Sequence, residues 1–375
     1  MKYVAPWWLP GGNLQTIWAA LKGVRYVGDA PTFRRERWVT PDKDFVDVDF
    51  LVEREPQFSA GPPQAKLAPS GLEPAAPNRP EQVWTGDRSE ASGKRRPARG
   101  SVVHEVTSVG AQPLLVVFHG LEGSSKSHYA EALTDAAHAR GWAACVPHFR
   151  GCSGELNHGP RAYHSGDFEE IDWILRRLQS GHAGPLVVVG ISLGGNALMR
   201  WAGELGAGAS EVVRAVASVC SPLDLAAGGW AIGRGFNRQV YTRMFLRSMV
   251  PKALQKLDQH PGLFNRQAML AVRDIYTFDN IFTAPLHGFK NTDDYYQRAS
   301  GKPHMHAICV PALALNALND PFIPVWSLPK PSDVSSSVTL WQPTHGGHVG
   351  FPSGAYPSHV RVMPEAVTAF LAAQL

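Results

Sequence analysis

In PLVVVGISLGGNALMRWAGEL, residues 185–205, a strand pattern runs straight into a helix pattern. Leu186–Val189 is an unbroken, β-branched apolar run of the kind that forms a strand buried on both faces. Ala197, Leu198 and Trp201 then recur at helical spacing. Gly190-Ile191-Ser192-Leu193-Gly194 lies between the two. In a chain with 36 glycines the bare Gly-x-Ser-x-Gly pattern carries little weight; its setting between a strand and a helix carries much more. A serine on so tight a turn projects its hydroxyl above the sheet, and the flanking glycines let neighbouring backbone approach closely. The helix that starts there aims its positive end at charge developing on Ser192. The plain alternative is a tight turn with an incidental serine.

On either side of this segment, short apolar runs recur at 114–118, 142–146, 213–219, 312–315 and 338–341. Helical patterns lie between the earlier ones, at 125–140, 166–179 and 193–205, and PEAVTAFLAAQL, opened by Pro364, closes the chain. This rhythm predicts an α/β protein with a mostly parallel central sheet and helices on both faces. Residues 33–39 and 45–52 alternate as half-buried antiparallel strands do. The rhythm fails at 222–308, rich in Phe, Tyr, Met and Arg, which reads as a helical cap over the carboxyl edge of the sheet, where ligands bind in such folds. Residues 55–104 hold a run of prolines and glycines and the basic segment KRRPAR, and read as a disordered insertion and solvated linker. The expected organisation is therefore first strands in 1–54, insertion in 55–104, core in 105–221, cap in 222–308 and core again in 309–375.

A serine hydroxyl is a weak nucleophile until a base takes its proton, so a histidine and an orienting acid must exist. Among 15 histidines, His348 directly follows the last strand and is flanked by glycine, with His345 the runner-up and His359 read as surface. Asp320 follows the strand at 312–315, and the order Ser192, Asp320, His348 is that of acyl hydrolases of this topology. Asp279, Asp293 and Asp294 fall inside the expected cap. The backbone N–H groups of Leu193 and Leu121 are the expected oxyanion donors. His119 reads as a support for its loop. Arg150 reads either as an anchor for an acidic substrate group or as a loop brace bonded to backbone carbonyls. Cys152, with only His158 nearby, reads as part of a glycine-rich structural loop.

PWWLPGGNLQTIWAAL (6–21), FHGLEGSSKSHY (118–129), HFRGCSGELNH (148–158), YHSGD (163–167), GISLGGN (190–196), NALNDPFIP (316–324) and HGGHVGF (345–351), in this order, resemble the YheT-type family of α/β-hydrolases, which is similar to the mammalian abhydrolase-domain lipases. The resemblance implies an α/β-hydrolase fold and serine-hydrolase chemistry on carboxylic esters of lipophilic acyl chains. Ser192, Asp320 and His348 fall on the family's triad positions. Acyl transfer by the same triad and a non-catalytic ligand-binding role stand as alternatives. The insertion at 55–104 departs from the family pattern.

Composition sets the remaining expectations. Lys plus Arg exceed Asp plus Glu by 36 − 32 = 4 with no sustained basic stripe, so no nucleic-acid partner is expected. No apolar run reaches membrane-spanning length, and prolines break the N-terminal segment, so neither an anchor nor a signal peptide is expected. Four cysteines without CxxC spacing read as reduced thiols of a cytoplasmic protein, with no metal and no cofactor. Trp7, Trp8, Leu9, Ile17 and Trp18 read as packing on the body of the protein, with peripheral lipid contact as the alternative.

Overall fold

The computed structural model describes residues 3–52 and 111–375. The expected insertion at 55–104 lies outside the described residues. The chain opens with helix α1 (Gly11–Lys22) and the strands β1 (Phe33–Val39) and β2 (Phe45–Leu51). It continues through β3 (Leu114–Phe118), α2 (His128–His138), β4 (Ala143–Pro147), α3 (Phe168–Gly181), β5 (Leu186–Ile191), α4 (Leu193–Leu205) and β6 (Ala215–Val219). A helical stretch follows, including α5 (Leu225–Ile232), α6 (Arg243–Gln259) and α7 (Thr292–Ala299), and then β7 (Ala312–Leu315), β8 (Val338–Trp341) and α8 (Val362–Ala372).

One eight-stranded sheet runs in the order β1-β2-β4-β3-β5-β6-β7-β8. β1–β2 and β2–β4 pair antiparallel and every other pair is parallel. Side chains alternate across a strand, so the central strands feed two cores. Leu114, Val116 and Phe118 of β3 pack with Ile171, Ile174 and Leu175 of α3 and with Leu198 and Trp201 of α4. Leu115 and Val117 pack with Leu133 of α2 and with Met363, Val367 and Leu371 of α8. Helices on both faces are what strands without a polar face require.

β2 departs from its expected half-burial. Asp47 and Asp49 are buried because the cross-strand register sets Arg37 opposite Asp47 and Arg35 opposite Asp49, and each arginine grips its carboxylate with two hydrogen bonds. A polar residue in an alternating strand marks solvent only when no partner of opposite charge stands across from it. α8 begins at Val362, two residues before Pro364, which falls within the first turn where its missing N–H is tolerated.

Between β6 and β7, α6 contributes Leu246, Met249 and Ala253 to a small core completed by Met269, Phe278 and Phe282. This core is separate from the two sheet cores, so the helical stretch is internally stabilised.

Candidate active site

β5 delivers Ser192 at the carboxyl edge of the sheet with φ 51° and ψ −115°. A left-handed conformation at a non-glycine residue costs about 1–3 kcal/mol and persists only where surroundings enforce it. Here Ser192 N–H donates to Val219 O at 2.9 Å, and Ser192 C=O accepts from Gly195 N–H at 3.0 Å and from Asn196 N–H at 3.1 Å. The glycines serve close packing. A Cβ on Gly194 would lie 2.5 Å from His119 O, and one on Gly195 1.9 Å from Ser221 Oγ.

His348 Nε2 lies 3.0 Å from Ser192 Oγ, and its Nδ1 lies 2.8 Å from Asp320 Oδ2. The other Asp320 oxygen accepts from Phe322 N–H at 2.8 Å. The Asp320 side chain is shielded from solvent whereas His348 keeps a little exposure toward a cavity. Ser192, Asp320 and His348 are thus one hydrogen-bonded chain. His345 bonds Thr344 and is exposed. His359 pairs with the backbone of Ser353 away from Ser192. Asp293 bonds Tyr276 and Asp294 pairs with Arg298, so neither contacts His348.

Leu121 sits in a turn locked on both sides. Gly120 N–H donates to Tyr129 OH at 3.0 Å, and Tyr163 OH accepts from Glu122 N–H and donates to Glu122 Oε1, each at 3.0 Å. A Cβ on Gly120 would lie 3.2 Å from Ser192 Cβ, which fixes this turn against the serine. The N–H groups of Leu121 and Leu193 donate to no other described residue. Both residues line the cavity that holds Ser192 and His348. Preorganised free donors beside a serine hydroxyl suit an anionic oxygen.

Neighbouring residues have structural duties. His119 is fully enclosed; its Nε2 accepts from Phe149 N–H at 3.1 Å while Nδ1 faces Gly120 O at 2.8 Å. Burial, helped by nearby His148, pushes its pKa down to about 3, so it stays neutral and braces its loop. Arg150 is neither an open anchor nor bonded to backbone carbonyls. Its Nε donates to Glu170 at 2.6 Å and its Nη groups to Asp42 at 2.8 and 3.1 Å, so carboxylates occupy its donors. Cys152 is held as a thiol by burial, which pushes it up to about 12.

Cys220, Asp320 and His348 place possible ligand atoms within 4.8 Å of one another. Asp320 already takes His348 Nδ1, and burial beside the Asp320 charge keeps the Cys220 thiol well above its ordinary range. The set is engaged in hydrogen bonds and does not form an open cage.

Sequence reading missed how the acid and histidine loops are held. Gln15 Oε1 on α1 accepts from Gly346 N–H and from Asn319 Nδ2, each at 2.9 Å. Thr16 Oγ1 accepts from His348 N–H at 2.8 Å, and Asn319 Oδ1 accepts from Gly347 N–H at 3.0 Å. On the other side, Asn196 Nδ2 donates to Ser165 O and Ala299 O. No local sequence signal marks Gln15 and Thr16, since α1 also carries the polar Asn13 and Lys22.

The cavity at Ser192 has a volume of about 840 Å³. Its walls come from α1 (Ile17, Leu21), from α5 (Leu225, Ile232) and from Met244 and Phe245 of α6. A smaller chamber of about 120 Å³ adjoins it, sharing Leu121, Leu193, Ile275 and Asp279. Both lie within the size range of small-molecule sites once taken together.

The model of the alpha/beta hydrolase fold family matches residues 113–355. The chain is 43% identical over 247 residues to a protein of Escherichia coli named "Putative esterase YheT", covering 65% of this chain and 72% of that one. It is 25% identical to the human phospholipase ABHD3, covering 70% of this chain and 64% of that one. It is 29% identical to the monoacylglycerol lipase of Saccharomyces cerevisiae, covering 66% of this chain and 56% of that one. The chain thus spans under two thirds of the length of the latter two relatives. No helix among the described residues is long and apolar enough to cross a membrane. A mostly parallel sheet with Ser192 at the strand–helix turn, the family match over residues 113–355 and the identity to YheT agree, and the chain belongs to the α/β-hydrolase family, in its YheT-type branch.

Proposed function

We propose that this protein is a serine carboxylic ester hydrolase that works through an acyl-enzyme on esters of lipophilic acyl chains. The observation that carries the reading is the hydrogen-bonded chain Asp320–His348–Ser192 at the floor of the cavity. Separations of 2.8 and 3.0 Å lie within proton-transfer reach. In the mechanism, His348 Nε2 takes the Ser192 proton as Oγ attacks the ester carbonyl. The N–H groups of Leu121 and Leu193 receive the oxyanion, and His348 then gives the proton to the departing alkoxide. Water, deprotonated by His348, attacks the acyl-enzyme; His348 then returns that proton to Ser192 Oγ as the Oγ–acyl bond breaks, and the acid product leaves. Asp320 holds the Nδ1–H tautomer and stabilises the imidazolium formed in each half-reaction.

The stretch 222–308 acts as a cap that supplies the apolar walls. Those walls, and the names of the phospholipase and monoacylglycerol lipase relatives, support a lipophilic substrate. The four cysteines stand as free thiols, which fits the reducing cytoplasm. The test is trapping: a fluorophosphonate should add to Ser192, located by peptide mass spectrometry, and Asp320→Asn should slow the addition sharply. Labelling elsewhere, or none, would contradict the assignment.

A further inference from the structure

Residues 225–257 contain six cationic side chains and no acidic one. Lys252 pairs with Glu122, and Lys256 donates to the carbonyls of Asn157 and Gly159. Arg234 lies over the Trp230 ring at 4.3 Å. The remaining three, Arg238, Arg243 and Arg247, are exposed, have no ion-pair or hydrogen-bond partner among the described residues, and rim a groove of about 530 Å³ together with Arg273. Leaving this much like charge together on one face is unfavourable without a counter-charge.

The neighbouring row of the same helical stretch is apolar where it meets the cavity at Ser192. Val240 and Met244 are exposed and line that cavity, as does exposed Leu21 on the opposite rim. Arg243 and Arg247 each follow one of these residues by three positions, so they stand one row round the helix from the mouth. Tyr241 ties this turn to α1 through its hydroxyl on Asn13 at 3.0 Å, and Phe236 packs on the Tyr241 ring. Nearby, Trp230 and Trp326 stack edge to face at 6.4 Å while remaining half or more exposed, at 50% and 64%. An exposed tryptophan pair whose Trp230 carries Arg234, on a helical stretch that also holds three unpaired arginines, matches the boundary of an anionic bilayer, where aromatic rings sit at headgroup depth and each basic residue adds attraction. An acidic protein partner would account for the arginines but not for apolar residues ringing a substrate entrance.

We propose that this face docks the enzyme on an anionic phospholipid bilayer, with the cavity mouth against the lipid so that a lipophilic ester passes from membrane to Ser192 without crossing water. The choice of substrate rests on the esterase reading above, but the docking itself does not. The test therefore uses full-length protein carrying Ser192→Ala, sedimented with vesicles of phosphatidylcholine containing about one third phosphatidylglycerol, and with pure phosphatidylcholine. Binding is expected to the anionic vesicles only and to weaken with salt. R238Q/R243Q/R247Q should lose on the order of a hundredfold in affinity. A charge-matched control, R34Q/R176Q/R214Q, should bind like the parent, and W230S/W326S should also lose binding. With Ser192 intact, the patch variant should hydrolyse a water-soluble p-nitrophenyl ester at the parent rate, which shows that it folds. Absence of vesicle binding, or equal losses in the patch and control variants, would overturn the proposal. So would binding to soluble polyglutamate that matches the vesicles and ignores W230S/W326S, since it would mark an acidic protein partner. If docking holds while Ser192-dependent hydrolysis is absent, only the esterase reading falls.

Discussion

Ser192, His348 and Asp320 come together from β5, from the loop after β8 and from the loop after β7, and Gln15 holds the last two in register. One side-chain oxygen serves both loops, while Gln15 Nε2 anchors to Leu9 O at 2.8 Å. Gln15→Ala is expected to lower kcat on the order of tenfold to a hundredfold with KM nearly unchanged, because misplacing His348 by a fraction of an ångström harms the reaction more than binding. Gln15→Glu keeps an accepting oxygen but sets a buried carboxylate against Leu9 O in place of the Nε2 donor, so it should recover little of the loss; a KM change without a kcat change in steady-state kinetics would refute this role. The residues proposed to carry the chemistry were legible because each lies in a turn or loop after a strand with glycine or proline within two residues. Gln15, Thr16, Asn196 and Asn319 were not. Their partners lie up to 332 residues away, and no local period encodes such a bond.

At the level of elements, the buried strands were legible from their apolar runs and α2, α3 and α4 from their periods. α1 was not, although it carries the quoted N-terminal motif. Its Gly11-Gly12 start, after Pro10, reads as a chain break because glycine is a poor helix former. The structure gives the reason for Gly12: a Cβ there would lie 1.8 Å from Asn319 O. Gly12→Ala should therefore cost on the order of 1–3 kcal/mol in denaturant unfolding and reduce activity by pushing the Asp320 loop away. Gly181→Ala, where a Cβ would meet nothing within 4 Å at the end of α3, should leave activity unchanged and hold or slightly raise stability. Equal behaviour of the two variants would show that α1 does not press on the acid loop. The N-terminal tryptophans divide by packing. Trp8 and Trp18 meet at 5.4 Å and Leu9 is buried, while Trp7 is 91% exposed.

For the molecule as a whole, the helical stretch must stay joined to the hydrolase body, and Asp279 sits at that junction, lining both chambers. Burial raises its pKa to about 6, while it accepts from Thr283 and Tyr296 hydroxyls. A carboxyl raised in the folded state stabilises most below its unfolded pKa, and that contribution is lost as pH rises through about 6. Asp279→Asn removes the titration, so its stability relative to the parent should rise by about 2 kcal/mol from pH 4 to pH 8 in urea unfolding. A difference that does not vary with pH would mean Asp279 ionises freely where it stands. Ser192-dependent ester hydrolysis is to be measured as rates on p-nitrophenyl esters from acetyl to palmitoyl, beside Ser192→Ala. The rate should peak at a chain length fitting the cavity, and kcat should fall on the order of a millionfold in Ser192→Ala. Turnover that survives in the folded Ser192→Ala protein would contradict the Ser192 assignment.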